Sequence, residues 1–108
     1  MADQNPNVHD LTPEEVARGM QEGRMVLVDV REPNETEVER IPGSVLVPLS
    51  EFDPAVIEPA GRDVVFSCRS GRRSITASLA AQEQGFDYGS HLAGGILAWK
   101  AAGLPTET

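Results

Sequence analysis

The stretch DVVFSCRSGRRS, residues 63–74, joins an apolar, β-branched run to a short loop that contains the only cysteine of the chain. Asp63 to Ser67 has the composition of a short strand that is covered on both faces of a sheet. The next segment, Ser74 to Gln84, carries apolar and small residues at helical spacing, and Gly85 is placed to end a helix there. A strand, a tight loop and a helix in this order indicate one unit of an α/β fold.

The same pattern extends in both directions along the chain. Met25 to Val30 and Val45 to Val47 are further apolar, β-branched runs, and a short last strand is expected around Tyr88 to Leu92. Strands that alternate with helices favour a parallel sheet with helices on both faces. The order of the strands cannot be read from this pattern.

Three further helical segments complete the alternation. Thr12-Pro13-Glu14-Glu15 is a capping box, which predicts a helix that runs to about Gln21 and is ended by Gly23. Glu32 to Glu39 is long enough for one or two helical turns, and a final helix is expected from about Gly95 to Ala102. The chain is therefore predicted to have an α/β fold.

The composition indicates a single globular domain. A chain of 108 residues and 11.6 kDa, with 40% hydrophobic residues, is long enough for one core and too short for two. The formal net charge of -8 argues against binding to nucleic acid or to anionic membranes, because the long-range field repels both. Small molecules and proteins are the expected partners.

The cysteine count and the residues at the chain ends predict the cellular compartment of the protein and the bounds of its domain. A lone cysteine excludes an internal disulfide framework and a multi-cysteine metal site, so we expect a reducing compartment and predict no metal or cofactor. The first residues lack the basic flank and apolar run of a secretory signal. We expect a soluble, cytoplasmic protein whose domain covers residues 8–105, with mobile termini at 1–7 and 106–108.

Cys68 is the candidate nucleophile. It follows a predicted strand and precedes a predicted helix, and ligands of parallel α/β sheets bind at this end of the strands. The N–H groups of the loop and the positive end of the next helix would stabilise a thiolate over a thiol. Arg69, Arg72 and Arg73 act in the same direction and could bind an anionic substrate. An inert cysteine beside a solvated arginine cluster is the alternative.

Other residues of the region have simpler explanations. Gly71 is either an ordinary turn glycine or the residue whose positive φ lets the loop wrap an anion. Ser74 is expected first of all to be the N-cap of the helix, with contact between its hydroxyl and the sulfur as a secondary role. His9 and His91 have no matching acidic or metal-binding partners in the sequence, so neither is predicted to be a ligand or a general base.

Four blocks of the sequence resemble the signatures of the rhodanese family of sulfurtransferases. They cover nearly the whole chain and comprise VDVREP at 28–33, IPGS at 41–44 with VPL at 47–49, CRSGRRS at 68–74, and LAGGILAW at 92–99 with AGLP at 102–105. Each block is weak by itself, whereas four in the family's order are specific. The resemblance implies one rhodanese-like domain, with a central five-stranded parallel sheet and helices on both faces.

The resemblance also implies an enzyme of the thiosulfate:cyanide sulfurtransferase type. The Cys68 thiolate would attack the outer sulfur of a donor such as thiosulfate, release sulfite and become a persulfide, from which cyanide or a thiol would remove the sulfur. By the same resemblance, the substrate is bound by the rest of the loop, namely Arg69, Ser70, Gly71, Arg72, Arg73 and Ser74. Asp29 and Arg31 would support the loop from behind, although a buried ion pair or a turn cap also explains them.

Two other functions stay open at this point. The domain could be a persulfide carrier or a docking module that delivers sulfur to a partner protein. A cysteine-dependent phosphatase is the enzymatic rival, but phosphatases of the same general fold place five residues between cysteine and arginine, whereas four separate Cys68 from Arg73. Thr36 and Glu39-Arg40 stand where the family commonly has an aromatic residue and glycine-histidine, so the family's acceptor recognition is not transferred to this chain.

Overall fold

The structure, a computed structural model, describes residues 5–108 and has a five-stranded parallel sheet at its centre. The strands are β1 (His9–Leu11), β2 (Met25–Asp29), β3 (Val45–Leu46), β4 (Asp63–Ser67) and β5 (Ser90–Leu92). The helices are α1 (Pro13–Gln21), α2 (Pro33–Val38), α3 (Arg72–Glu83) and α4 (Gly95–Ala101), with 3₁₀ turns at Leu49–Glu51 and Pro54–Val56. The order across the sheet is β1-β5-β4-β2-β3, and all neighbours are parallel, which confirms the predicted fold class.

The sheet separates two apolar clusters. On one face α3 packs through small residues such as Ala77 against Phe66 of β4, and Cys68 belongs to the same cluster. On the other face α1 and α4 contribute Val16 and Trp99. Since successive side chains of a strand point to opposite faces, Phe66 and Cys68 both face α3. Helices therefore cover both faces, and the cysteine lies on the α3 side.

Two strands differ from what the residue pattern indicates. The pattern does not locate β1, because Leu11 is the only one of its three residues that is buried. The prediction that Val45 to Val47 is covered on both faces is wrong for β3. This strand is only two residues long at the edge of the sheet, and its Val45 and Leu46 are 46% and 37% exposed.

Both ends of the described chain make contacts with the domain. Of the N-terminal segment predicted to be mobile, residues 1–4 lie outside the described residues, and the Asn7 carbonyl oxygen accepts a hydrogen bond from Gln82 Nε2 at 3.0 Å. At the other end, the Glu107 N–H donates to the Arg40 carbonyl oxygen at 2.8 Å, and Thr106 Oγ1 donates to Glu39 Oε2. These contacts hold residues 106 and 107 beside the end of α2. The mobility of the termini stays a prediction.

None of the helices in residues 5–108 has both the length and the apolar character that crossing a bilayer requires. The cytoplasmic location stays a prediction.

The start of α4 lies directly against the loop that follows β4. The Ile96 N–H donates to the Cys68 carbonyl oxygen at 2.9 Å, and the Leu97 N–H donates to the Arg69 carbonyl oxygen at 3.2 Å. Gly95 has a φ of +59°, and a Cβ atom there would collide with both carbonyl oxygens. A glycine is required at this position, because any side chain would push α4 away from the loop.

Replacing Gly95 with alanine should lower the free energy of unfolding by about 3 kcal/mol, since it combines a positive φ with a clash against main-chain atoms. Gly103→Ala is the matched control, because Gly103 has a φ of +79° but a Cβ there meets no atom of the described residues within 4 Å. The control should lose only about 1 kcal/mol in urea unfolding. If both variants lose the same free energy of unfolding, the clash at Gly95 is relieved by a shift of α4 or of the loop that costs no stability, which would contradict the prediction.

Candidate active site

The sulfur of Cys68 is the centre of the candidate site. The residue is 1% exposed, and its Sγ accepts hydrogen bonds from the Gly71 N–H at 3.1 Å and the Ser74 N–H at 3.3 Å. Ser74 Oγ lies 3.5 Å from the same sulfur. Two backbone donors directed at one atom, at the positive end of α3, stabilise negative charge on that atom.

The conformation of Gly71 produces this arrangement. Gly71 has a φ of +105° and is the N-cap of α3, so the chain turns back over the sulfur before the helix begins at Arg72. The positive φ is the conformation that the second role considered for Gly71 requires, and its part in wrapping the loop around an anion stays a prediction. The prediction that Ser74 is the N-cap is wrong. Ser74 is the third residue of α3, where its N–H donates to Cys68 Sγ and its Oγ accepts a hydrogen bond from the Cys68 thiol.

Arg73 is held by a carboxylate of α2. Its Nη1 and Nη2 donate to the two carboxylate oxygens of Glu35 at 2.7 and 3.0 Å. The hydrogen bonds from Arg73 lower the pKa of Glu35 to about 2, and those to Glu35 raise the pKa of Arg73. Arg73 also interacts electrostatically with Cys68. The arginine therefore fastens α2 to α3 while it brings positive charge towards the sulfur.

Arg69 borders an open groove beside the cysteine loop. The groove has a volume of about 400 Å³, and its lining includes the exposed side chains Val38 and Leu97. Within residues 5–108 the Arg69 side chain makes no hydrogen bond or ion pair, whereas Lys100 in the same groove donates to Glu39 at 2.7 Å. Arg69 is exposed, so its guanidinium is available to an anionic ligand.

Asp29 and Arg31 form a buried ion pair at the end of the neighbouring strand β2. The Asp29 carboxylate accepts from the Arg31 backbone N–H at 2.9 Å and from its Nη2 at 2.8 Å. Arg31 Nη2 also donates to the Glu39 carbonyl oxygen at 2.9 Å, at the end of α2. Asp29 is the register partner of Ser67, the residue before Cys68. The pair thus fixes the end of β2 and of α2, which border the loop.

His91 also belongs to this site, although the sequence indicates no partner for it. It is 1% exposed, its Nδ1 lies 2.8 Å from Ser74 Oγ, and its Nε2 lies 2.6 Å from Asp10 Oδ1. The prediction that His91 has no acidic partner is therefore wrong. Asp10 is 81 positions away and becomes its neighbour only when β1 pairs with β5, so no local spacing signals the contact.

The seven predicted site residues are consecutive and span the loop after β4 and the first turn of α3. Cys68, Gly71 and Ser74 are buried, Arg73 is half-buried, and Arg69, Ser70 and Arg72 are exposed. Within residues 5–108 no three His, Cys, Asp or Glu side chains converge on a potential metal site. The roles assigned to the loop residues in substrate binding stay predictions.

The match to known proteins identifies the family. Residues 12–102 match the rhodanese-like domain family. The chain belongs to the rhodanese family. This confirms the resemblance of the four sequence blocks, and the matched residues include the cysteine loop together with all strands except β1.

Curated relatives of this rhodanese-like domain include sulfurtransferases. A sulfurtransferase of Allochromatium vinosum is 40% identical over 82 residues, which cover 75% of the chain and 77% of the relative. The thiosulfate:glutathione sulfurtransferase of Saccharomyces cerevisiae is 29% identical over 113 residues, covering 90% and 81%. An uncharacterized Synechocystis protein is 39% identical over 97 residues, and the chain spans about half of it, 54%.

A solved structure with a similar fold carries a different description. The Rhodopseudomonas palustris protein is described as a protein of unknown function and possible tyrosine phosphatase. It superposes with a TM-score of 0.78 at 32% identity, covering 93% of this chain and 85% of that chain. The similarity supports the fold of the domain.

The ion pair between Arg73 and Glu35 should make stability depend on acidic pH. The pKa of Glu35 is depressed from 4.5 to about 2, so the pair stabilises the fold above about pH 4.5 and loses its effect as pH falls towards 2. Glu35→Gln should cost about 1 kcal/mol at neutral pH, with allowance for solvent screening of a partly exposed pair. The difference from wild type should shrink across this acidic range in urea unfolding.

Glu37→Gln is the matched control for this substitution. Glu37 lies on the same helix and is exposed, and within residues 5–108 it makes no hydrogen bond or ion pair. It should unfold like wild type at every pH. A constant deficit of Glu35→Gln from neutral pH down to about 2 would contradict the assignment of the depressed pKa to the pair.

Proposed function

We propose that this domain is a sulfurtransferase that carries sulfane sulfur as a persulfide on Cys68. The observation that carries the proposal is the position of the Cys68 sulfur at the start of α3. It accepts hydrogen bonds there from two backbone N–H groups, those of Gly71 and Ser74. A sulfur held in this way is stabilised as the anion that attacks a donor. The sulfurtransferases among the relatives support the same reaction class.

The reaction takes place in two covalent steps. The Cys68 thiolate attacks the outer sulfur of the donor, the bond between the two donor sulfurs breaks, and the leaving group departs with that electron pair. With thiosulfate the leaving group is sulfite, and Cys68 becomes a persulfide. A nucleophilic acceptor then attacks the outer persulfide sulfur and releases the Cys68 thiolate. The backbone donors stabilise that thiolate both as the nucleophile and as the leaving group.

We infer that thiosulfate is a donor and that a thiol or cyanide is an acceptor. The relative from Saccharomyces cerevisiae is named for thiosulfate and glutathione, which supports an anionic donor and a thiol acceptor. The exposed guanidinium of Arg69 beside the groove is suited to the sulfonate end of thiosulfate. Arg73 is already paired with Glu35, so we assign it to the positive field near the sulfur and not to direct capture of the donor.

Mass spectrometry of the intact protein tests the persulfide. Incubation with thiosulfate should add the mass of one sulfur atom to the wild type, and Cys68→Ser should show no addition, because the alcohol is too weak a nucleophile. Gel filtration and circular dichroism of the variant check that it is folded. If the wild type gains no sulfur from thiosulfate or from alkyl persulfides, the proposed function is wrong.

Arg69→Gln tests recognition of the anionic donor. The rate constant for persulfide formation at low thiosulfate should fall about tenfold, because one charge-assisted contact to the sulfonate is lost. With a small alkyl persulfide, which has no sulfonate, the fall should be much smaller. Arg18→Gln is the control, since it makes the same change in charge on an exposed arginine of α1, remote in sequence from the loop. Equal losses with both donors would show that Arg69 shapes the loop instead of binding the sulfonate.

A second candidate function is sulfur delivery to a partner protein. Val38 is 72% exposed and Leu97 is 42% exposed, and both line the groove beside Arg69, so a protein acceptor could cover them while it approaches Cys68. In the same persulfide assay, rapid discharge to a co-purifying protein with slow discharge to cyanide and small thiols would favour the carrier. Fast discharge to small thiols would favour the enzyme.

The phosphatase alternative is supported only by the description of the similar Rhodopseudomonas palustris structure. The loop between Cys68 and Arg73 has four residues, which is one fewer than in phosphatases of this general fold, so the anion site that it surrounds is smaller. In addition, both terminal guanidinium nitrogens of Arg73 donate hydrogen bonds to Glu35. Hydrolysis of an aryl phosphate faster than sulfur transfer would favour the phosphatase.

A further inference from the structure

A chain of three polar contacts leads from the candidate nucleophile to the protein surface. Cys68 Sγ lies 3.5 Å from Ser74 Oγ, Ser74 Oγ lies 2.8 Å from His91 Nδ1, and His91 Nε2 lies 2.6 Å from Asp10 Oδ1. Ser74 and His91 are buried, whereas the Asp10 side chain is 39% exposed. The contacts therefore connect a buried thiol with a carboxylate that is in contact with water.

The carboxylate determines the direction of the hydrogen bonds in this chain. Asp10 and His91 are register partners across the β1–β5 pair. An ionised carboxylate only accepts hydrogen bonds, so Nε2 of His91 carries the proton between them. In the neutral ring Nδ1 is then an acceptor, and the Ser74 hydroxyl donates to it. The lone pairs of that hydroxyl are left to accept a hydrogen bond from the Cys68 thiol.

We propose that Ser74, His91 and Asp10 form a proton relay that ionises Cys68. The S–H bond breaks as its proton passes to Ser74 Oγ, while the hydroxyl proton of Ser74 passes to His91 Nδ1. The electron pair of the S–H bond stays on sulfur, so the products are a thiolate and an imidazolium, and the Asp10 carboxylate balances the imidazolium charge. The reverse transfer returns the proton to Cys68. The use of the relay in turnover rests on the proposed sulfur transfer, but the proton step needs no sulfur donor.

The charges around the relay favour the ion pair that it produces. On β1 Asp10 faces His91, and its neighbour His9 points to the other face of the strand and is exposed. On α3 Ser74 contacts the ring, and Arg73 interacts electrostatically with the sulfur. The Ser74 hydroxyl therefore links the negative sulfur to the imidazolium, and the imidazolium contacts the Asp10 carboxylate at 2.6 Å.

A purely structural role would use the same contacts without moving a proton. A buried imidazole needs a partner for each ring nitrogen, whatever the state of the cysteine. The two roles differ in two measurable ways. A relay depends on the charge of Asp10 and not only on its acceptor oxygen, and it makes protonation of His91 depend on the Cys68 thiol.

Asp10→Asn tests the first difference, because asparagine keeps an acceptor oxygen for His91 but removes the charge. The rate of Cys68 alkylation by iodoacetamide should fall about tenfold at neutral pH and approach the wild-type rate at alkaline pH, where hydroxide removes the proton directly. Asp87→Asn is the matched control, since Asp87 is exposed and has no hydrogen bond or ion pair within residues 5–108. Identical pH profiles for wild type and Asp10→Asn would overturn the relay, even if the variant melts at a lower temperature.

Nitrogen NMR of histidine tests the second difference. The chain has only two histidines, so a His9→Gln background leaves His91 as the single labelled ring. The pH range over which Nδ1 of His91 is protonated should change when Cys68 is replaced by alanine, because the thiol proton is no longer available to the relay. The same titration with and without the thiol would show that His91 has only a structural role and would contradict the proposal.

These outcomes separate the relay from the proposed function. Alkylation and NMR use the thiol alone, so they report on the relay even if no sulfur donor reacts with Cys68. Conversely, normal persulfide formation together with unchanged alkylation profiles in Asp10→Asn would remove the relay and leave the sulfurtransferase proposal intact.

Discussion

The position of one sulfur atom at the start of α3 is the constraint on which the rest of the structure depends. The Gly71 turn directs two N–H groups at the sulfur, and α4 binds the carbonyl oxygens of the same loop from the other side. Gly95 leaves room for that approach because it has no side chain. The sulfur is therefore positioned by backbone hydrogen bonds and two glycines, and the loop has little freedom to move it.

Positive charge around the cysteine is divided among arginines with different surroundings. Arg73 is fixed by Glu35 and joins two helices, while Arg31 is buried with Asp29 and holds the end of a strand. Arg69 is exposed at the groove, and its side chain makes no hydrogen bond or ion pair within residues 5–108. An acidic chain can thus keep several arginines in the region of one thiol, because specific carboxylates pair with Arg73 and Arg31.

The strand order explains why groups from distant parts of the chain meet at Cys68. β4 lies between β2 and β5, so the loop after it has the Asp29–Arg31 pair on one side and His91 on the other. β1 joins the sheet beside β5 and brings Asp10 to His91. The central position of β4 therefore gives the cysteine both a rigid support and a polar connection to solvent.

By itself, the sequence determined the alternation of strands and helices, the capping box of α1 and the place of Cys68 between a strand and a helix. These features depend on residues a few positions apart, so local patterns are sufficient to predict them. Only the tertiary structure decided the strand order, the edge position of β3, and the pairs Arg73–Glu35 and His91–Asp10. The partners in those pairs are 38 and 81 positions apart, and they meet only because packed helices and paired strands bring them together.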